Sequence, residues 1–195
     1  MKKSVFLFLI SFCMFMGTSV FANEDGVKVF LDKVAMEFER IDKIHDNTEK
    51  KKEVKKISNE IMDLPWIGKF VLGKHRRTLT IEQIDHFIDL YSQYMIVTYF
   101  EILFAMKKDA YTVVSVENQK DNIYLAETLI KFDGRDTDNV FRIIKTEDGY
   151  LITDIITEGI SFISIQRADV MSRIDSFGFD EFMKEIKDSL GDKDV

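Results

Sequence analysis

Apolar positions change period part-way along the chain. Before Asp109 they recur every three to four residues; after it they crowd into short β-branched and aromatic runs. The first pattern predicts helices and the second strands. Val27, Phe30, Leu31, Val34, Phe38 and Ile41 make one apolar helical face. In KKKEVKKIS five lysines surround Val54 and Ile57, with Ile61 next on the stripe, a solvated helix with one side to bury. In DLPWIGKFVLG, Asp63 suits a cap, Pro65 a first turn and Gly73 a C-terminal stop, which predicts a short helix burying Trp66, Phe70 and Leu72. Thr80 and Gln83 form a capping box that opens a long helix reaching about Met106.

The long helix carries two stripes where a surface helix has one. Ile84, Ile88, Tyr91, Met95 and Ile102 form the first; Phe87, Leu90, Tyr94, Val97, Phe100 and Phe104 form the second. It is either a central helix packed on two sides or a helix with one stripe facing a cavity. Beyond it, YTVVSV, NIYLAETLIKF, VFRIIKT and YLITDIITEG are separated by NQKDN, DGRDTD and EDG, which supply turn chemistry. Four successive strands imply an antiparallel meander, and helices followed by strands imply the α+β class. Two shorter helices close the chain, near Ile165–Ser176 and Asp180–Leu190, with Gly178 between them.

The opening residues read differently. Lys2 and Lys3 precede an apolar core from Val5 to Met16, and Val20 and Ala22 are small residues at −3 and −1 of a cleavage site before Asn23. The apolar run is shorter than the ~20 residues of a spanning helix, so it predicts a signal peptide cleaved after Ala22 and export out of the cytoplasm. Phe12 before Cys13 argues against a lipoprotein. Residues 23–195 then form a single domain with no cysteine, which excludes thiolate chemistry, disulfides and cysteine-bound metal. Losing Lys2 and Lys3 takes the net charge from −7 to −9. That charge argues against nucleic acid and against adsorption to anionic lipid.

Catalytic signatures are absent. His45, His75 and His86 have no metal-ligand spacing, so no metal site is expected. Asp154 and Glu158 share one face of a regular strand. They could do acid–base work, but the favoured reading is structural, with Arg167 as the partner that braces strand to helix. Arg76 and Arg77 precede the capping box, either as a solvated turn or as phosphate contacts at a pocket mouth.

DLPWIGKFVLGKHRR, TIEQIDHF and ITDIITEGISFISIQR together resemble the MlaC family, also called the toluene-tolerance family, from about residue 27 to about residue 188. The shared pattern comprises Asp63, Leu72-Gly73, Arg77, Glu82-Gln83, Phe87, Tyr99, Asp154, Glu158-Gly159, Ser161 and Arg167. The chain departs from it with Arg76 for an aromatic, Ile81 for a proline, Tyr150 for a tryptophan and Val170 for an aromatic. The resemblance implies a non-enzymatic periplasmic carrier of phospholipid between the inner and outer membranes of Gram-negative bacteria. It implies a nuclear transport factor 2-like fold, with helices across a curved antiparallel sheet and an apolar cavity between them for the acyl chains. Phospholipid would be the ligand, with no other cofactor. An inner-membrane Mla ABC-transporter complex and an outer-membrane lipoprotein–porin complex would be the partners. A shuttle that docks at two membranes in turn is expected to be a monomer.

Acyl chains need a dry slot, since each buried CH₂ contributes ~0.8 kcal/mol. Side chains of suitable type are Trp66, Phe70, Phe87, Tyr91, Tyr94 and Phe104 on helices. On or after the strands they are Leu129, Phe132, Phe141, Ile143, Ile155, Ile160 and Phe162. Two other readings use the same residues: an enzyme with a pocket carboxylate as proton-transfer base, and a ligand-free periplasmic adaptor.

Overall fold

The computed structural model describes residues 19–99, 111–132 and 134–191. Among the described residues, six helices and one five-stranded sheet make up this α+β chain. Helix α1 (Ser19–Asp42) buries Val27, Leu31, Val34, Phe38 and Ile41, the stripe expected from spacing. Helix α2 (Asn47–Ile61) buries Val54, Ser58 and Ile61 and leaves its lysine-rich side in solvent. Helix α3 (Leu64–Leu72) starts at Asp63, whose carboxylate accepts from the Trp66 N–H, and stops at Gly73 in the left-handed region, φ 54°. A short 3₁₀ turn, His75–Arg77, leads to α4 (Ile81–Thr98), where the Thr80–Gln83 capping box closes as predicted. The expected continuation to Met106, with Phe100, Ile102 and Phe104, lies outside the described residues.

Strands β1 (Tyr111–Lys120), β2 (Ile123–Phe132), β3 (Arg135–Lys145) and β4 (Tyr150–Thr157) pair antiparallel in sequence order. A two-residue strand, β5 (Ile160–Ser161), adds a fifth to the four expected. It exists because Glu158 (φ 49°) and Gly159 (φ 80°) make a tight two-residue turn. Helices α5 (Phe162–Phe177) and α6 (Phe179–Gly191) follow, separated by Gly178. Along β2 the buried residues are Tyr124, Ala126, Thr128 and Ile130, so one sheet face meets the helices and Leu129 points the other way.

The core is split. One cluster joins α1 and α2 to the sheet through Phe38, Ile41, Tyr124, Phe141 and Ile143. The other joins α3, α4, α5 and α6 through Val71, Phe87, Tyr91, Val170 and Phe182. Met62 packs against both. It pairs with Ile152 of β4 in an isolated parallel bridge, and the Asp63 N–H donates to the Ile152 carbonyl at 3.0 Å. Gly68 lets α3 cross α4 closely, because a Cβ there would lie 2.8 Å from Cγ1 of Ile88.

Candidate functional site

Where the two clusters meet they leave an apolar cavity of about 100 Å³. Its walls come from Met62, from Leu64 and Ile67 of α3, and from Met95, Ile96 and Tyr99 at the end of α4. Residues 152–155 and Thr157 of β4, with Phe162 and Ile163 at the start of α5, complete it. Ile67 and Ile152 are buried, Tyr99, Ile155 and Phe162 half-buried, and Thr157 exposed. The cavity therefore runs from the interior to the surface between α4, β4 and α5.

Sequence periodicity explains the walls. The buried residues of α3 recur as Leu64, Ile67 and Val71, and the first two turn toward β4. On α4 the double stripe resolves into two uses. Phe87 and Tyr91 stack at 5.0 Å, with Phe179 and Phe182 beside Phe87, as ordinary core. Only the last turn, Met95, Ile96 and Tyr99, faces the cavity. Of the two stripes, only Met95 reaches the cavity among the described residues; Ile96 and Tyr99 belong to neither.

Two buried polar side chains organise the site, Asp154 in the wall and Gln166 behind Tyr99. Asp154 is 4% exposed. Its Oδ2 accepts from the Ser161 hydroxyl at 2.7 Å and its Oδ1 from the Ile163 N–H at 3.2 Å. The carboxylate therefore caps the start of α5, where the helix dipole also favours a negative charge. Gln166 is the second: its side-chain carbonyl accepts from Tyr91 Oη at 2.9 Å and its amide donates to Tyr99 Oη at 2.6 Å. Tyr99 also meets the Phe162 ring edge-on, centroids 4.6 Å apart, at the cavity rim. Burial holds the Tyr91 and Tyr99 phenols above their ordinary pKa; at Tyr99 the bond from Gln166 pulls the other way.

Of the residues singled out from sequence, Ile155, Phe162 and Asp154 come together at this cavity. Phe141 and Ile143 are buried in the sheet-side cluster; Phe87 and Tyr91, with half-buried Tyr94 and Phe70 against them, belong to the other. Trp66 is 40% exposed on the outer side of α3, and Leu129 and Ile160 also face solvent. The side chains of Phe104 and Phe132 lie outside the described residues. Arg76 and Arg77 are exposed on the 3₁₀ turn.

The three expected braces separate. Asp154 ties β4 to α5 as described. Glu158 does not share its face: β4 ends at Thr157, so Glu158 sits exposed on the turn, and its N–H donates to the Asp138 carbonyl. Arg167 pairs with neither carboxylate; its guanidinium lies over the Phe70 ring, 4.8 Å from the centroid. Met62, Leu64, Ile67, Ile96, Ile152 and Ile163 also line the cavity and were not among the candidates from sequence. The three-residue step from Leu64 to Ile67 was the available signal. Among the described residues no group of His, Cys, Asp and Glu could hold a metal ion.

The MlaC protein family model matches residues 31–188. The chain belongs to the MlaC family. Among solved structures, this MlaC chain is similar to a phospholipid-binding protein from Ralstonia solanacearum, determined in complex with a phospholipid. The two share 14% sequence identity and superpose with a TM-score of 0.60, over 90% of this chain and 97% of the other. That likeness establishes a shared fold. No curated protein matches the chain in sequence.

Proposed function

We infer that this MlaC-family protein binds phospholipid by its acyl chains in the cavity between α3, α4, β4 and α5, and carries it between membranes without chemical change. One observation carries the reading: a surface-reaching cavity walled almost wholly by aliphatic and aromatic side chains, in a fold whose Ralstonia counterpart holds a phospholipid. Asp154, the one carboxylate on the wall among the described residues, has both oxygens engaged in capping α5, which favours a brace over a proton-transfer base. Export by a signal peptide cleaved after Ala22 would place the carrier in the periplasm. Its partners there would be an inner-membrane Mla ABC-transporter complex and an outer-membrane lipoprotein–porin complex, met by a monomer.

The cavity volume sets a condition on loading. A cavity of ~150 Å³ accommodates one benzene, so about 100 Å³ holds only a short stretch of hydrocarbon. Whole acyl chains enter as the walls part along the seam between the two clusters. The test is organic extraction of the protein purified from its native host, followed by lipid mass spectrometry. Phospholipid in the extract of the wild type, and its loss in Ile155→Phe at unchanged stability, supports the carrier. An empty wild type, or an Ile155→Phe variant that retains lipid, rules out this cavity.

A further inference from the structure

Helix α3 has a second functional side. Leu64 and Ile67 face the cavity, while Trp66 and Lys69 are exposed on the outside and Phe70 is half-buried between the sides. Trp66 and Phe70 stack, ring centroids 5.2 Å apart and 17° from parallel, and Arg167 of α5 lies over Phe70. The result is an indole–phenyl–guanidinium stack at the surface, with a cation–π contact between Arg167 and Phe70 and the indole 40% exposed.

The segment that carries it is basic. Between Asp63 and Glu82 stand Lys69, Lys74, Arg76 and Arg77 with no carboxylate, in a chain of net charge −7. Lys74 is paired with Asp175 of α5 at 2.7 Å. Lys69, Arg76 and Arg77 are exposed and have no ionic partner among the described residues. Tryptophan beside lysine and arginine is the chemistry of the bilayer interface: the indole sits at headgroup depth and the cations meet phosphate.

We propose that the outer face of α3, with Arg167 and the following 3₁₀ turn, docks on the phosphate-bearing surface of an anionic bilayer. Against a net charge of −7 the contact is reversible and sensitive to salt. It places the helix that walls the cavity next to the headgroup layer. The proposal is independent of what the cavity holds.

Trp66 is the only tryptophan, so the emission of the full chain reads this face alone. Titration with phosphatidylcholine vesicles, with and without phosphatidylglycerol, is expected to shift that emission to the blue only with phosphatidylglycerol. Lipids brominated near the headgroup should quench it, and added salt should reverse it. Each surface cation removed costs roughly fivefold in partitioning. Lys69→Gln/Arg76→Gln/Arg77→Gln, all at exposed sites, should therefore lower vesicle binding by about 100-fold while circular dichroism is unchanged. Ile155→Phe, with its cavity filled, should keep the shift, which separates this contact from lipid uptake. An equal response to both vesicle types, no response to either, or undiminished binding by the triple variant overturns the proposal. The last two outcomes leave an acidic protein as the acceptor for this face.

Discussion

Replacing Asp154 by alanine separates a brace from a reacting group. The side chain is buried and accepts two hydrogen bonds, from Ser161 at 2.7 Å and from the Ile163 N–H at 3.2 Å. Bonds to a charged acceptor contribute ~1.5–3 kcal/mol each. Alanine removes both and leaves the Ile163 N–H unpaired in a buried position, so Asp154→Ala should cost about 3–6 kcal/mol. For a domain of this size that is a fall of roughly 10 °C in melting temperature. Asparagine keeps an acceptor for the Ile163 N–H but loses the charge, and should cost about 1–2 kcal/mol. Urea titrations should show the midpoint falling in that order with the slope unchanged. A proton-transfer base would give the reverse pattern, with stability kept in Asp154→Asn and a reaction lost. Asp154→Ala within ~0.5 kcal/mol of wild type would refute the bracing role.

Three further outcomes follow from the packing and the buried phenols. Gly68→Ala gains helix propensity of ~1 kcal/mol but drives a methyl to 2.8 Å from Ile88; overpacking of ~1–3 kcal/mol should win, seen as a lower urea midpoint. Glu158 holds φ 49° on an exposed turn, so Glu158→Gly should raise stability by ~1 kcal/mol in thermal melts. Burial raises the phenol pKa of Tyr91, and burial with a hydrogen bond to Asp32 raises that of Tyr111. The folded state thus favours the neutral phenols: their stabilising effect is complete below ~10, the unfolded pKa, and is lost as pH climbs above it. Phenolate absorbance and circular dichroism should change together in alkaline titration; early ionisation in a folded protein would contradict the burial.

Much of the fold was legible because the signals are local. Asp63, Gly73 and the Thr80–Gln83 box act through their own backbone neighbours, so helix ends at these points can be read from sequence. The alternating runs of the meander are equally local. The cavity was not legible, because lining is a relation between elements. Ile67 and Val71 recur on the same helical stripe, yet only Ile67 reaches the cavity. Bulky aromatics drew attention as lipid contacts, but Phe87, Tyr91 and Phe141 are needed to fill space between elements. The smaller Met62, Ile96 and Ile163 are left at the junction. Arg167 shows the same limit: its sequence neighbours offered carboxylates, while the fold offered the Phe70 ring.

The divided interior, joined at Met62, has a consequence for cooperativity. A ligand lying in the junction touches both blocks and acts as a missing part of the core, adding free energy to the native state alone. The loaded protein should then melt in one concerted step, whereas the emptied one should release its helical block first. Hydrogen exchange would record this as protection along α4 and α5 that rises on loading far more than in β2 and β3. Delivery of cargo would then leave a softened scaffold, already halfway to accepting the next molecule.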